Sequence, residues 1–166
     1  MNSKKFSLVI KKPIKDFRKQ IIVDSDKSIS IRSFLLGSIS QGVSLVKNVL
    51  ESEDVFSTIN CLRKLNIKVL SLGNKTYKIF GKGLGSYNSK NSPKLDFGNS
   101  GTLARLIIGI ITTTPNMNLK ICGDKSLNKR NMKKLIVLME KFGAEFFPKN
   151  KFFFPLRISS SNYPIG

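Results

Sequence analysis

At 166 residues with 40% hydrophobic content, the chain is long enough to bury a sizeable core, and its length fits one domain or a tight pair of subdomains. Its net charge of +19 raises nucleic acid or an anionic membrane as partner, but the excess is almost all Lys, scattered among Ile and Asn as codon drift at tolerant surface positions would leave it. With no histidine, proton transfer falls to Asp, Glu, Lys or Tyr, and zinc sites of the usual kind are not expected.

In chain order, residues Lys4 to Ile14 read as a lone strand ending at Pro13. The five-residue apolar run Phe6 to Ile10 is too short for a secretion signal. There follow a strand at 21–23, a helix at 27–40, a strand at 43–49, a helix at 53–65 and strands at 67–71 and 76–80. Residues 82–94, rich in Gly, Ser, Asn and Lys, read as an exposed linker. The order then recurs: strand 95–97, helix 101–113, strand 117–122, helix 126–142, and strands 144–148 and 152–158. The fold class is therefore α/β, a β-α-β-α-β-β unit written twice, with repeat one at 20–81 and repeat two at 95–158.

The offsets support duplication. Arg32 and Arg105 lie 73 residues apart, while Asn66 and Gly143, at the two helix-to-strand turns, lie 77 apart. Val55, Ile59 and Leu62 repeat at helical spacing, as do Met132, Leu135 and Met139. The run Leu106 to Ile111 is far short of a membrane span. Cys61 and Cys122, without C-x-x-C spacing, read as small buried thiols in a reducing cytosol.

Chemistry concentrates where a strand hands over to a helix. Asp26-Lys27-Ser28-Ile29-Ser30-Ile31-Arg32 and Asn99-Ser100-Gly101-Thr102-Leu103-Ala104-Arg105 each place hydroxyl or glycine residues at a helix start and an Arg one turn in. Exposed backbone N–H groups, the helix dipole and a cation draw phosphate or carboxylate to such a place. A single copy would read as a capping Ser beside solvated cations; the second copy favours two anion sites. Arg, with its planar fork, carries more information than Lys, and three of the six Arg, namely Arg32, Arg105 and Arg130, lie in or near such loops. Gly101 costs a helix roughly 1 kcal/mol and is better explained by close backbone approach to a ligand. Arg105, set in an apolar surround, calls for a partner, and Asp54 is one candidate. A third loop, Gly123-Asp124-Lys125-Ser126-Leu127-Asn128-Lys129-Arg130, lies at a strand end where α/β folds gather ligands, so that Arg130 would close over an anion.

These residues resemble a known family. Lys27-Ser28-Ile29-Ser30-x-Arg32, Leu35-Leu36-Gly37, Gly42, Asn48, Leu50-x-Ser52-Glu53-Asp54, Gly98-Asn99-Ser100-Gly101-Thr102-x-x-Arg105, Gly123-Asp124-x-Ser126-Leu127-x-x-Arg130 and Phe142-Gly143-Ala144 are similar, in order and spacing, to 5-enolpyruvylshikimate-3-phosphate synthases. The resemblance runs from about Ile21 to Arg157. It implies transfer of an enolpyruvyl group from phosphoenolpyruvate to the 5-hydroxyl of shikimate 3-phosphate, with release of phosphate, on the way to chorismate and the aromatic amino acids. It implies an inverse α/β barrel of two domains, six such units in all, with the site in the cleft between them.

On that resemblance Lys27 would be catalytic and contact both substrates. Ser28 and Arg32 would bind shikimate 3-phosphate, Asn99, Gly101 and Arg130 would bind phosphoenolpyruvate, and Asp54, Thr102 and Arg105 would support them. No cofactor or metal is implied. Residues 1–19 would be a strand of the second domain and 20–166 an incomplete first domain, so the chain is expected to be a cytoplasmic fragment, inactive alone, of a monomeric enzyme that needs neither nucleic acid nor membrane. The second domain would supply the acid and base carboxylates. Two departures stand out: Asp24-Ser25 replaces the usual Pro-Gly before the first loop, and Asn131 replaces the Pro after Arg130. The alternatives are the related transferase acting on UDP-N-acetylglucosamine, whose reactive loop cysteine has no clear match here, a basic RNA-binding module, and an inactive remnant.

Overall fold

The computed structural model describes residue 9, residues 24–88 and residues 93–163. The strands expected at 4–14 and 21–23 lie outside the described residues, apart from an exposed Val9, and so does the assignment of residues 1–19 to another domain. The described elements are α1 (Lys27–Ile39), β1 (Gln41–Val46), α2 (Glu53–Lys64), β2 (Lys68–Gly73), β3 (Thr76–Lys82), β4 (Lys94–Asp96), α3 (Gly101–Thr112), β5 (Asn118–Cys122), a 3₁₀ turn (Leu127–Lys129), α4 (Lys133–Lys141), β6 (Glu145–Phe147) and β7 (Leu156–Ser159). None of these helices is long and apolar enough to cross a membrane.

Two sheets carry the duplication. The first has strand order β1-β3-β2 and the second β4-β5-β7-β6, with β4 parallel to β5 and every other pair antiparallel. Matching β1 to β5, β3 to β7 and β2 to β6 superimposes the orders, with β4 added beside β5 at the edge of the second sheet. The second helices also end alike. Asn66 (φ 64) and Gly143 (φ 85) adopt the left-handed conformation, and the next N–H reaches back to the final turn, Ile67 N to Leu62 O at 3.0 Å and Ala144 N to Met139 O at 3.2 Å. This closes orphan carbonyls at the helix end, and Gly or Asn is the residue that tolerates it.

The helices lie between and against the sheets, α1 over β1 and β3, α2 over β2 and β4, with α1 beside α3 and α3 beside α4. One continuous core results, anchored by Phe34, Phe97, Phe146, Leu62, Ile107 and Ile108, all essentially inaccessible. At Gly81 of β3 an added Cβ would stand 2.2 Å from Ser40 O and 2.3 Å from Gly37 O, so only glycine lets the strand cross the end of α1 this closely.

Three sequence expectations need correction. The linker expected to be exposed at 82–94 is anchored at Tyr87, which is buried in the core with its hydroxyl against Ser38 Oγ, while the next N–H, of Asn88, donates to Leu65 O at 3.4 Å; an aromatic side chain among Gly, Ser and Asn gains more from burial than from solvent. The helix expected at 126–142 is a 3₁₀ turn followed by α4, separated by an extended Arg130 (φ −79, ψ 131). Here Asn131 Oδ1 accepts from Lys133 N at 2.8 Å and Phe152 O accepts from Met132 N at 2.9 Å, so local side-chain and tertiary bonds take donors that a continuous helix would use. The strand expected at 152–158 begins only at Leu156, because Phe152 O is committed to Met132 and Pro155 has no N–H to give the ladder.

Candidate functional site

At the start of α1 the cap is Asp26, whose carboxylate accepts from Ile29 N at 2.7 Å. Ser30, a candidate ligand by sequence, is instead buried: its hydroxyl donates to Asp26 O (2.8 Å) and accepts from Leu50 N (3.0 Å). It ties the first turn of α1 to the loop ahead of α2. That loop sets Asp54 in the first turn of α2, where Asp54 Oδ2 meets Lys27 Nζ at 3.0 Å. Asp54 therefore partners Lys27 and not Arg105 as the sequence suggested. Lys27 keeps about half its side chain in solvent (48%) while Asp54 keeps 17%, so the ammonium is held at the helix mouth yet open to a ligand. Ser28 is half-buried beside it, and Arg32 is exposed one turn on.

The start of α3 is built differently. Ser100, fully buried, is the cap, its Oγ accepting from Leu103 N at 3.2 Å. Over the helix mouth stand two guanidiniums. Arg105 Nη1 donates to Gly101 O at 3.1 Å, and Arg130 Nη2 donates to the exposed Asn99 Oδ1 at 2.9 Å. A Cβ on Gly101 would lie 2.7 Å from Arg105 Nη1 and 2.9 Å from Arg130 Nη1. The close approach anticipated at Gly101 is thus made by the two arginines, with Thr102 half-buried behind them.

The third loop delivers Arg130 by its own hydrogen bonds. Asp124 N donates to Gly98 O at 2.8 Å, which fastens the loop to the turn before α3. Asn128 bonds Gly123 twice, Oδ1 accepting from Gly123 N (2.9 Å) and Nδ2 donating to Gly123 O (2.8 Å), while Asp124 Oδ1 accepts from Leu127 N (2.6 Å). Asn128 is not singled out by the sequence; its one signal is an amide five residues after the glycine that follows β5.

The electrostatics of this arrangement are one-sided. Among the described residues the ion pairs are Lys27–Asp54 and Lys149–Glu145, so neither Arg105 nor Arg130 has a carboxylate. Two guanidiniums and the positive end of α3 converge with no carboxylate paired to either guanidinium among the described residues, and an anion is what such a convergence attracts. A cavity of about 590 Å³ between α2 and the ends of β4 and β5 holds none of these groups; its walls mix Arg63 and Lys64 with Asp96 and Asp124 and favour neither sign. Cys61 borders it, donating to Asp96 O at 3.3 Å, and burial pushes its thiol up to about 12. Burial also raises Cys122, so both cysteines are protonated, free thiols, unlike a reactive loop nucleophile.

Residues 11–164 match the family model described as EPSP synthase (3-phosphoshikimate 1-carboxyvinyltransferase). The 3-phosphoshikimate 1-carboxyvinyltransferase of Desulforamulus reducens is 37% identical over 139 residues, covering 84% of this chain and 32% of the relative. That of Caldicellulosiruptor bescii is 39% identical over 142 residues, covering 85% and 32%. The structure of EPSP synthase from Acinetobacter baumannii aligns with a TM-score of 0.77 at 30% identity, over 85% of this chain and 32% of that one. The chain spans about a third of the length of these relatives.

Proposed function

The chain belongs to the EPSP synthase family, and from that premise we propose that it carries the first part of an enzyme moving the enolpyruvyl group of phosphoenolpyruvate to the 5-hydroxyl of shikimate 3-phosphate. In the transfer the 5-hydroxyl loses its proton as its oxygen bonds to the enolpyruvyl carbon, the C–O bond from that carbon to the phosphate breaks, and inorganic phosphate leaves, carrying that proton in the overall balance. The observation that carries the proposal is the pair of guanidiniums without carboxylates over Gly101.

Phosphoenolpyruvate, a carboxylate and a phosphate on one small frame, would sit against Gly101 and Asn99 and draw Arg130 onto itself. Lys27, reached from the neighbouring helix mouth, would contact both substrates; Asp54 holds its ammonium in place. Ser28 and Arg32 would bind the 3-phosphate, and Thr102 and Arg105 would support the second loop. Asp26 already occupies the Ile29 N–H, so the 3-phosphate would rely on side-chain cations more than on the α1 amides.

No cofactor enters this reading, and the enzyme would act as a cytoplasmic monomer without nucleic acid or membrane. The remainder of a full-length enzyme would complete the site with acid and base carboxylates and exclude water around the reacting groups. It would also cover the apolar groove between α1 and α3 lined by Leu35, Leu36, Ile39, Leu106 and Ile110.

The test is a chimera in which residues 24–163 replace the matching segment of the Desulforamulus reducens enzyme. Phosphate release that needs both substrates and is lost in Lys27→Ala and Arg130→Ala is the expected result. A folded chimera without turnover would overturn the proposal.

A further inference from the structure

Opposite charges border the cavity between α2 and the carboxyl ends of β4 and β5, yet they do not pair. Arg63 and Lys64 stand on the α2 wall, Asp96 and Asp124 on the strand-end wall. Among the described residues none of the four belongs to an ion pair. Each is instead tied to the fold by a single bond. Arg63 Nη2 donates to Val69 O (3.1 Å) and Lys64 Nζ to Lys94 O (2.8 Å), while Asp96 Oδ1 accepts from Gly98 N (2.9 Å) and Asp124 Oδ1 from Leu127 N (2.6 Å). The charges are therefore held in place without being cancelled, and each carboxylate keeps an oxygen, and Arg63 further N–H groups, to offer a ligand. Cys61 Sγ, donating to Asp96 O at 3.3 Å, fixes one wall to the other. A drift of surface positions towards lysine does not produce this arrangement, since the chain has 10 acidic residues against 29 basic ones and two of the ten border this one cavity.

We propose that the cavity binds a free amino acid as its zwitterion, the ammonium on Asp96 and Asp124 and the carboxylate on Arg63. A ligand carrying both charges bridges what the walls leave unpaired, through charge-assisted hydrogen bonds to side chains that are already positioned. A lone cation or a lone anion would satisfy one wall and face its own sign on the other. Ser57 and Asn60 add a hydroxyl and an amide to the α2 wall for the polar remainder of the ligand. The volume, about 590 Å³, falls within the roughly 300–1,000 Å³ of small-molecule sites. The place also suits a ligand, because β4 and β5 run parallel and the crevice outside the carboxyl ends of parallel strands is where α/β folds collect them. None of the four charged groups belongs to the mouths of α1 and α3, so the site is independent of what those bind.

The test is NMR titration of the isotope-labelled 166-residue chain with glycine and the other common amino acids, one at a time. Because the charged groups face water, the expected result is saturable binding of at least one of them in about the millimolar range, shifting amides from Ser57 to Lys64 together with Asp96, Gly98 and Asp124. The methyl ester of that amino acid, which lacks the carboxylate, and its N-acetyl derivative, which lacks the ammonium, should each bind at least tenfold more weakly. So should the parent amino acid to Asp96→Asn/Asp124→Asn and to Arg63→Gln, substitutions that keep an acceptor or donor for the existing bonds; melting curves show whether these variants fold, and the ester and N-acetyl comparison decides the matter if they do not. The proposal is overturned if no amino acid binds, if either derivative binds as well as its parent, or if folded variants retain full affinity. It is equally overturned if the shifts fall at Asn99 to Leu103 and Arg130, which would give the carboxylate to the neighbouring anion site.

Discussion

Replacing Gly101 by alanine separates the fold from the anion site. The new Cβ would stand 2.7 and 2.9 Å from guanidinium nitrogens of Arg105 and Arg130, and both must move. Each is the far end of an exposed, flexible side chain, so they swing outward with little disturbance of the backbone. What the fold loses is two solvent-facing hydrogen bonds, Arg105 to Gly101 O and Arg130 to Asn99, each worth about 0.5–1.5 kcal/mol at most. What it gains is up to about 1 kcal/mol from removing a glycine from the first turn of a helix. The net loss is at most about 2 kcal/mol, and for a chain of this size the melting temperature should stay within roughly 4–8 °C of the parent. A bound anion, by contrast, loses charge-assisted contacts worth about 1.5–3 kcal/mol apiece, more than tenfold in affinity. Circular dichroism melting beside NMR titration with phosphoenolpyruvate measures both, and shikimate 3-phosphate, proposed to bind at the first loop, serves as the internal control. Unchanged phosphoenolpyruvate affinity in a folded Gly101→Ala protein would refute the reasoning, as would a melting temperature that collapses while relative affinities hold.

Gly81→Ala should act in the opposite sense, because its Cβ would meet the backbone carbonyls of Ser40 and Gly37, which cannot swing away; urea unfolding should show a loss of about 3 kcal/mol or more. Asp54→Asn removes the partner of a half-exposed Lys27, so stability should fall by no more than about 1 kcal/mol, while the freed ammonium raises affinity for inorganic phosphate, read by titration of the Lys27 signals. Cys61 has its thiol pushed above its ordinary value of 9.0 to about 12 by burial. A group raised in the folded state contributes stability below its unfolded value and loses it as pH climbs through the folded one. Stability should therefore decline between about pH 9 and 12, and Cys61→Ala should flatten part of that decline in denaturant titrations at each pH.

The duplicated unit was legible because its punctuation is local. Asn66 and Gly143 mark left-handed helix ends, and Lys27, Glu53 and Gly101 open α1, α2 and α3 where the sequence places them. Interruptions driven by distant partners were not legible. The break before α4 depends on Phe152 O taking the Met132 N–H, a contact twenty positions away that no periodicity reveals. Pairing across helices was equally hidden. An apolar surround marks Arg105 as needing a partner, with Asp54 as one candidate, yet the packing of α1 on α2 gives Asp54 to Lys27 and leaves Arg105 on its own helix, bonded to Gly101 O. Ser30 shows the same limit. Its place beside Ser28 suggested a ligand, whereas the fold uses it to bond the Leu50 amide.

NMR titration of the isotope-labelled 166-residue chain with its two proposed substrates and plain shikimate tests the central claim of two anion sites most directly. Phosphoenolpyruvate should shift the Asn99 to Leu103 amides and the Arg130 side chain, shikimate 3-phosphate should shift Lys27 to Arg32, and shikimate without its phosphate should do neither. Equal shifts from plain shikimate, or phosphate-dependent shifts spread over the surface lysines while both helix mouths stay silent, would contradict it.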